Sequence, residues 1–174
     1  MQEIYQQSLS MPISFEGVGL HSGQNSKIKI LPGHEDQGII FKRIDLKNNN
    51  LVKANYKNVS SAKLCTTLKN EYGVKISTVE HLLASLYIMG IDNAIIEINT
   101  EEVPIMDGSA KSFLNILKKS NIKEQSKKIK YLKILDTVEL IDGSRKISIL
   151  SLAFILIWCP QLVHTCLFWI ISSL

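Results

Sequence analysis

Two hydrophobic rhythms alternate along the chain. From Ser26 to Leu31 apolar and charged residues take turns, Ile28 and Ile30 on one side and Lys27 and Lys29 on the other, which is the period-two pattern of a strand with one buried face. Gly38 to Asp45 carries Ile39-Ile40-Phe41-Lys42-Arg43-Ile44 and predicts a second strand, with Pro32-Gly33 supplying turn chemistry between the two. Val52 to Tyr56 and the mostly apolar run Ala94 to Asn99 predict a third and a fourth. The rhythm becomes helical over Thr78 to Met89, where Val79, Leu82, Leu83, Leu86 and Met89 share one face at about 100° per residue. Ser77 followed by Glu80 reads as a capping box at its start, and Gly90 stands where a left-handed cap ends a helix. A second helix is predicted from about Ser109 to Lys119, opened by Asp107 or Ser109 and closed by lysines that suit the helix dipole.

Beyond Asn121 the pattern fades into a polar stretch, Lys123-Glu124-Gln125-Ser126-Lys127-Lys128, which reads as a linker. Ile129 to Leu140 and Lys146 to Leu150 then flank Asp142-Gly143, a strong hairpin signal. Strands and helices do not alternate regularly, so the expected fold class is α+β, a layered sheet-and-helix domain rather than a doubly wound one. The expected plan is a first domain over residues 1–122, a linker over 123–128, the opening of a second domain over 129–150, and a separate tail over 151–174.

Composition changes this picture at the C-terminal end. Every charged residue lies at or before Lys146, and residues 147–174 carry none. Three readings fit: a membrane anchor through 147–174, buried core of a further domain, or out-of-frame translation after a frameshift. Elsewhere 174 residues with 45% apolar and 21% charged side chains suffice for one domain with a core plus a piece of a second. The net charge of +4 is spread out, which argues against nucleic acid as a partner. Cys65, Cys159 and Cys166 form no Cys-x-x-Cys pair and no even framework, so a disulfide scaffold is excluded and a reducing, cytoplasmic setting is expected.

The candidate chemistry sits at the start of the first predicted helix. On the helical wheel His81 falls opposite the apolar face, with Glu80 on the flank. On spacing alone Glu80 reads first as a capping carboxylate, and His81 first as a solvated helix residue. The sharper reading is a metal ligand beside a base: a helix N-terminus disfavours a charged imidazole, metals bind the neutral form, and a neighbouring carboxylate can take a proton from an attacking water. One histidine is not a zinc site, which takes three protein ligands and an open position. His21 lies in the glycine-rich loop Gly17-Val18-Gly19-Leu20-His21-Ser22-Gly23, where backbone could approach a ligand closely. His34 sits in a turn and His164 in the uncharged tail, and the chain contains no His-x-x-x-Asp segment.

Three segments together carry a family resemblance: Gly17 to Gly23, Ile76-Ser77-Thr78-Val79-Glu80-His81-Leu82-Leu83-Ala84, and Glu102-Val103-Pro104-Ile105-Met106-Asp107-Gly108-Ser109-Ala110. Leu64-Cys65-Thr66-Thr67 and Gly90-Ile91-Asp92-Asn93 extend it, so that it covers about residues 5 to 149. In this order they resemble the UDP-3-O-acyl-N-acetylglucosamine deacetylase family of lipid A biosynthesis in Gram-negative bacteria. The resemblance implies a Zn2+-dependent amide hydrolase acting on a UDP-linked acylated glucosamine, built as two similar α+β domains with the active site between them. It implies Glu80 as general base, His81 as a zinc ligand, His21, Leu64 and Cys65 as lining of the site, and Asp107 as a structural helix N-cap. The family's other zinc ligands, in a His-x-x-x-Asp motif of its second domain, have no counterpart here. The expectations are therefore a deacetylase, a truncated fragment that is catalytically inactive, or a tail-anchored protein reusing the domain.

Overall fold

A computed structural model describes residues 4–130 and 134–149. The chain forms two compact units that part between Lys128 and Ile129. In the first, β1 (Tyr5–Leu9), β2 (Ile13–Val18), β3 (Asn25–Pro32), β4 (Ile39–Arg43) and β5 (Leu51–Lys53) lead into a 3-10 turn at Tyr56–Asn58. Three short strands follow, β6 (Val59–Ser61), β7 (Thr67–Lys69) and β8 (Lys75–Ile76), then α1 (Glu80–Ile88), β9 (Ala94–Ile98), α2 (Ala110–Leu117) and β10 (Ile122–Lys128). The main sheet has the order β2-β3-β9-β4-β5, with β4 and β9 parallel and the other neighbours antiparallel. The small strands make a second sheet, β6-β7-β8.

The alternation read from the sequence sets the layers. Ile28 and Ile30 of β3, Phe41 of β4, Val52 of β5 and Ile96 and Ile98 of β9 are buried, and they share one core with Leu82, Leu83 and Leu86 of α1 and Phe113 and Leu117 of α2. Phe15 of β2 meets Phe113 edge-on, ring centres 5.6 Å apart. This is the expected α+β arrangement of sheet and helices.

Three local expectations are corrected. The stretch 123–128 is not a linker: it is most of β10, which pairs antiparallel with β1. Its inward contacts are polar, so no apolar alternation announces it. Asn93 Nδ2 donates to Gln6 Oε1 (2.9 Å) and Gln125 Oε1 (2.7 Å), and Gln125 Nε2 donates to the Gly33 carbonyl (3.0 Å). The same disguise hides β1, Tyr-Gln-Gln-Ser-Leu. Second, α1 starts at Glu80 without a capping box. Ser77 is engaged instead in a parallel bridge with Glu102, its N–H donating to the Glu101 carbonyl (2.8 Å), and the N-cap position falls on Val79 with no side-chain bond. Third, the Val52–Tyr56 strand is shorter, because Asn55 caps the 3-10 turn through its side chain.

Gly90 ends α1 as predicted. Its φ is +70°, its N–H donates to Tyr87 and the Ile91 N–H reaches back to Leu86, the two bonds of a Schellman cap.

The second unit contains the hairpin β11 (Val138–Asp142) and β12 (Arg145–Ile149), closed by Asp142 opposite Arg145, with Gly143 at φ +58° in the turn. The expectations for residues 151–174 lie outside the described residues. Among the described residues no helix is long and apolar enough to cross a membrane.

Candidate active site

The chain enters α1 through a strained residue. After Ile76, the last residue of β8, Thr78 adopts φ +57° and is almost fully buried. A β-branched residue in this left-handed region costs about 1–2 kcal/mol, so the surroundings must hold it there. They do: Ser77 is pinned on both sides, to the Glu101 carbonyl and by the Val103 N–H, and the Thr78 hydroxyl donates to Glu102 Oε1 (3.0 Å). The turn delivers Glu80 and His81 as the first two residues of the helix, both half-buried. Glu80 Oε2 accepts from the Thr66 N–H at 3.1 Å. The His81 carbonyl accepts from Ser85 Oγ, and its imidazole has no hydrogen-bond partner among the described residues.

His21 stands exposed at the tip of the β2–β3 hairpin, in a loop whose only local backbone bonds among the described residues are Gly19 N–H to Gln24 and Gly23 N–H to Gly19. The expectation that this loop offers its backbone to a ligand meets a physical answer. The N–H groups of His21 and Ser22 are already taken by Glu102, at 2.9 Å to Oε1 and 2.7 Å to Oε2. Gly19 is required by that arrangement, since a Cβ there would lie within 2.5 Å of Ser22 Oγ and closer still to Glu102 Oε2. Gly17, in turn, leaves room for Pro104 and Met106, and the Ile105 N–H donates to the Val18 carbonyl.

Leu64 and Cys65 lie in the β6–β7 connection next to Thr66. Leu64 is 86% exposed at φ +69°, an unusual place for a bulky apolar residue, and Cys65 is half-buried with Sγ 3.9 Å from Thr67 Oγ1. Asp107 is not the helix cap. Ser109 caps α2, its Oγ accepting from the Lys111 N–H, while Asp107 accepts from both the N–H and the hydroxyl of Ser109 and thereby orients the cap. Donors from Ser109 and Ser112 hold the Asp107 carboxyl below the usual aspartate range. His34 is exposed in its turn, as its sequence context predicts.

The residue that sequence reasoning left without a role is Glu102, 2% exposed and at the centre of these contacts. Burial pushes its carboxyl up, but the donors of Ser22, His21 and Thr78 outweigh burial and hold it below the usual glutamate range. An acid beside the apolar Val103-Pro104 pair was the available signal. The three motif segments thus meet in space, joined by hydrogen bonds and close packing. Among the described residues no group of three or more His, Cys, Asp or Glu side chains is placed to hold a metal ion. At the first turn of α1 they offer one unbonded imidazole and one adjoining carboxylate, which is less than a catalytic zinc requires.

Residues 6–157 match the family described as UDP-3-O-acyl N-acetylglycosamine deacetylase. Proteins named UDP-3-O-acyl-N-acetylglucosamine deacetylase from Shewanella frigidimarina and Shewanella denitrificans are 44% and 42% identical over 142 residues, 82% of this chain and 46% of each relative. One from Shewanella baltica is 42% identical over the same share of each chain. The chain therefore spans about half the length of the curated relatives it matches. Matched over most of its length by the family and by these relatives, the chain belongs to the UDP-3-O-acyl-N-acetylglucosamine deacetylase family.

Proposed function

We propose that this domain supplies half of a deacetylase active site, with Glu80 as general base and His81 as one ligand of a zinc ion whose remaining ligands come from outside the described residues. The reaction is hydrolysis of the N-acetyl group of a UDP-linked, 3-O-acylated N-acetylglucosamine, a step of lipid A biosynthesis. The observation that carries the reading is the placement of Glu80 and His81 side by side at the first turn of α1, with Thr66 bonded to the Glu80 carboxylate and Thr78, just before the helix, bonded to Glu102.

Zinc, when bound, would supply a Lewis acid for the amide carbonyl and a more acidic water. The chain's own residues do the following. His81, at the helix N-terminus and with its imidazole unbonded among the described residues, would offer a ring nitrogen to the ion. Thr66 occupies Oε2 of Glu80, which leaves Oε1 to take a proton from the attacking water. His21, Leu64 and Cys65 line the approach. The products are acetate and the free glucosamine nitrogen.

A second reading is favoured by the absence of a three-ligand cluster among the described residues: this chain alone binds zinc weakly and is inactive. Zinc titration of the 174-residue protein, read by metal analysis and by the His81 ring resonances, tests both. Less than one tightly held zinc per chain, lost in His81→Ala, supports His81 as the domain's ligand. A full equivalent retained by His81→Ala overturns the assignment. Acetate release from the UDP-linked substrate separates the active from the inactive reading.

A further inference from the structure

We propose that Glu102 is a positioning residue whose buried carboxylate ties the His21 loop to the turn that launches Glu80 and His81, so that one oxygen atom sets where the two histidine-bearing segments stand. The proposal rests on the active-site reading above for its functional meaning, but not for its structural content.

The juxtaposition is specific. Glu102 Oε1 accepts from the His21 N–H at 2.9 Å and from the Thr78 hydroxyl at 3.0 Å, while Oε2 accepts from the Ser22 N–H at 2.7 Å. Two segments 57 positions apart by their numbering, His21 and Thr78, therefore share one acceptor atom. Burying a carboxylate is costly unless it is satisfied, and among the described residues Glu102 forms no salt bridge. It is satisfied by backbone and hydroxyl donors alone, and these donors belong to the loop and the turn.

Neither tied segment would hold its place unaided. The loop tip makes only two local backbone bonds among the described residues. The turn depends on a β-branched residue in the left-handed region, which relaxes unless its side chain is held. Gly19 removes the one side chain that would block the carboxylate. The effect reaches Glu80 through two residues of backbone, and Thr66 reports it, because its N–H is bonded to the Glu80 carboxylate.

The test is amide hydrogen exchange on the 174-residue chain, with the His81 ring resonances followed by NMR. Glu102→Gln keeps the shape but sets an amide NH2 against donors. The His21 and Ser22 amides should exchange roughly tenfold to a hundredfold faster, as loss of bonds to a charged acceptor implies. The Thr66 amide should follow and the His81 ring signals should shift, while the Ile28 and Ile96 amides of the sheet stay protected. A general weakening would move all amides alike. If Glu102→Gln does not fold, Thr78→Val decides. It cuts only the Oε1–Thr78 link, so Thr66 should lose protection and His81 should shift, while His21 and Ser22 stay protected. Wild-type protection of Thr66 together with unshifted His81 signals, in Thr78→Val or in a folded Glu102→Gln, overturns the proposal. The measurement needs no substrate, so a chain that shows the pattern while His81→Ala leaves its zinc uptake unchanged would sink the zinc-site reading and leave the positioning role standing.

Discussion

Thr66 grips the start of α1 at two points: its N–H donates to Glu80 Oε2 at 3.1 Å, and its carbonyl accepts from the N–H of the N-cap residue, Val79, at 3.4 Å. The helix lacks a side-chain cap of its own, so the β6–β7 connection acts as the cap from a distance. Glu80→Gln retains an acceptor for Thr66 and should change folding stability by less than about 1 kcal/mol, whereas Glu80→Ala should lose about 1–2 kcal/mol. Urea denaturation of the two variants checks the difference. An equal loss would show that Thr66 does not depend on this carboxylate.

Leu64 should be an easy position at which to stabilise the fold. It is 86% exposed at φ +69°, so its side chain contributes little packing and its backbone carries strain. Leu64→Gly relieves about 1–2 kcal/mol of left-handed penalty and returns part of it as unfolded-chain entropy. A rise in melting temperature is expected. A fall in melting temperature would mean that the conformation is not strained.

Acid should loosen the Glu102 cluster. The folded carboxyl titrates below its ordinary value of 4.5, so between the two values the unfolded chain holds more protons and stability climbs with pH. The contribution is complete above pH 4.5 and is lost as pH falls through the folded value. Melting temperature against pH for wild type and Glu102→Gln should converge toward low pH. Parallel curves would assign the acid sensitivity to other carboxylates, such as Asp45, which Arg43 holds low.

Asn93 should matter more than an asparagine usually does. It is 1% exposed, and its amide donates to Gln6 and Gln125 while its Oδ1 accepts from the Gly38 N–H at 2.8 Å. Asn93→Ala leaves several of these groups without partners and should cost about 2–4 kcal/mol. Hydrogen exchange should show β10 opening before the β3–β9 pair. Simultaneous opening of both would place the network at the heart of the fold rather than at its flank.

The central layers were legible because their rhythm is apolar: Ile28 and Ile30 alternate with lysines, and Leu82, Leu83 and Leu86 repeat at helical spacing. Gly90 was legible because the cap it makes is local in sequence. The start of α1 was misread because Ser77 and Glu80 have the spacing of a capping box, while a parallel bridge to Glu102 claims Ser77 first. The Glu102 cluster was invisible for a different reason. Its bond to His21 spans 81 positions, and nothing in local spacing encodes such a contact. Of the candidate site, the helix pair and its neighbouring motifs were therefore readable, and the carboxylate that joins them was not.

The lysines of β10 have a consequence outside the site. Among the described residues this strand pairs on one side with β1 and on the other with no strand, and Lys123, Lys127 and Lys128 are exposed along it. An open sheet edge invites a second chain to add itself, and charge along the edge deters that addition. The composition that conceals the strand from a hydrophobic reading also keeps it from nucleating aggregates. Replacing those lysines with isoleucine or valine would make the strand obvious in the sequence and adhesive in solution.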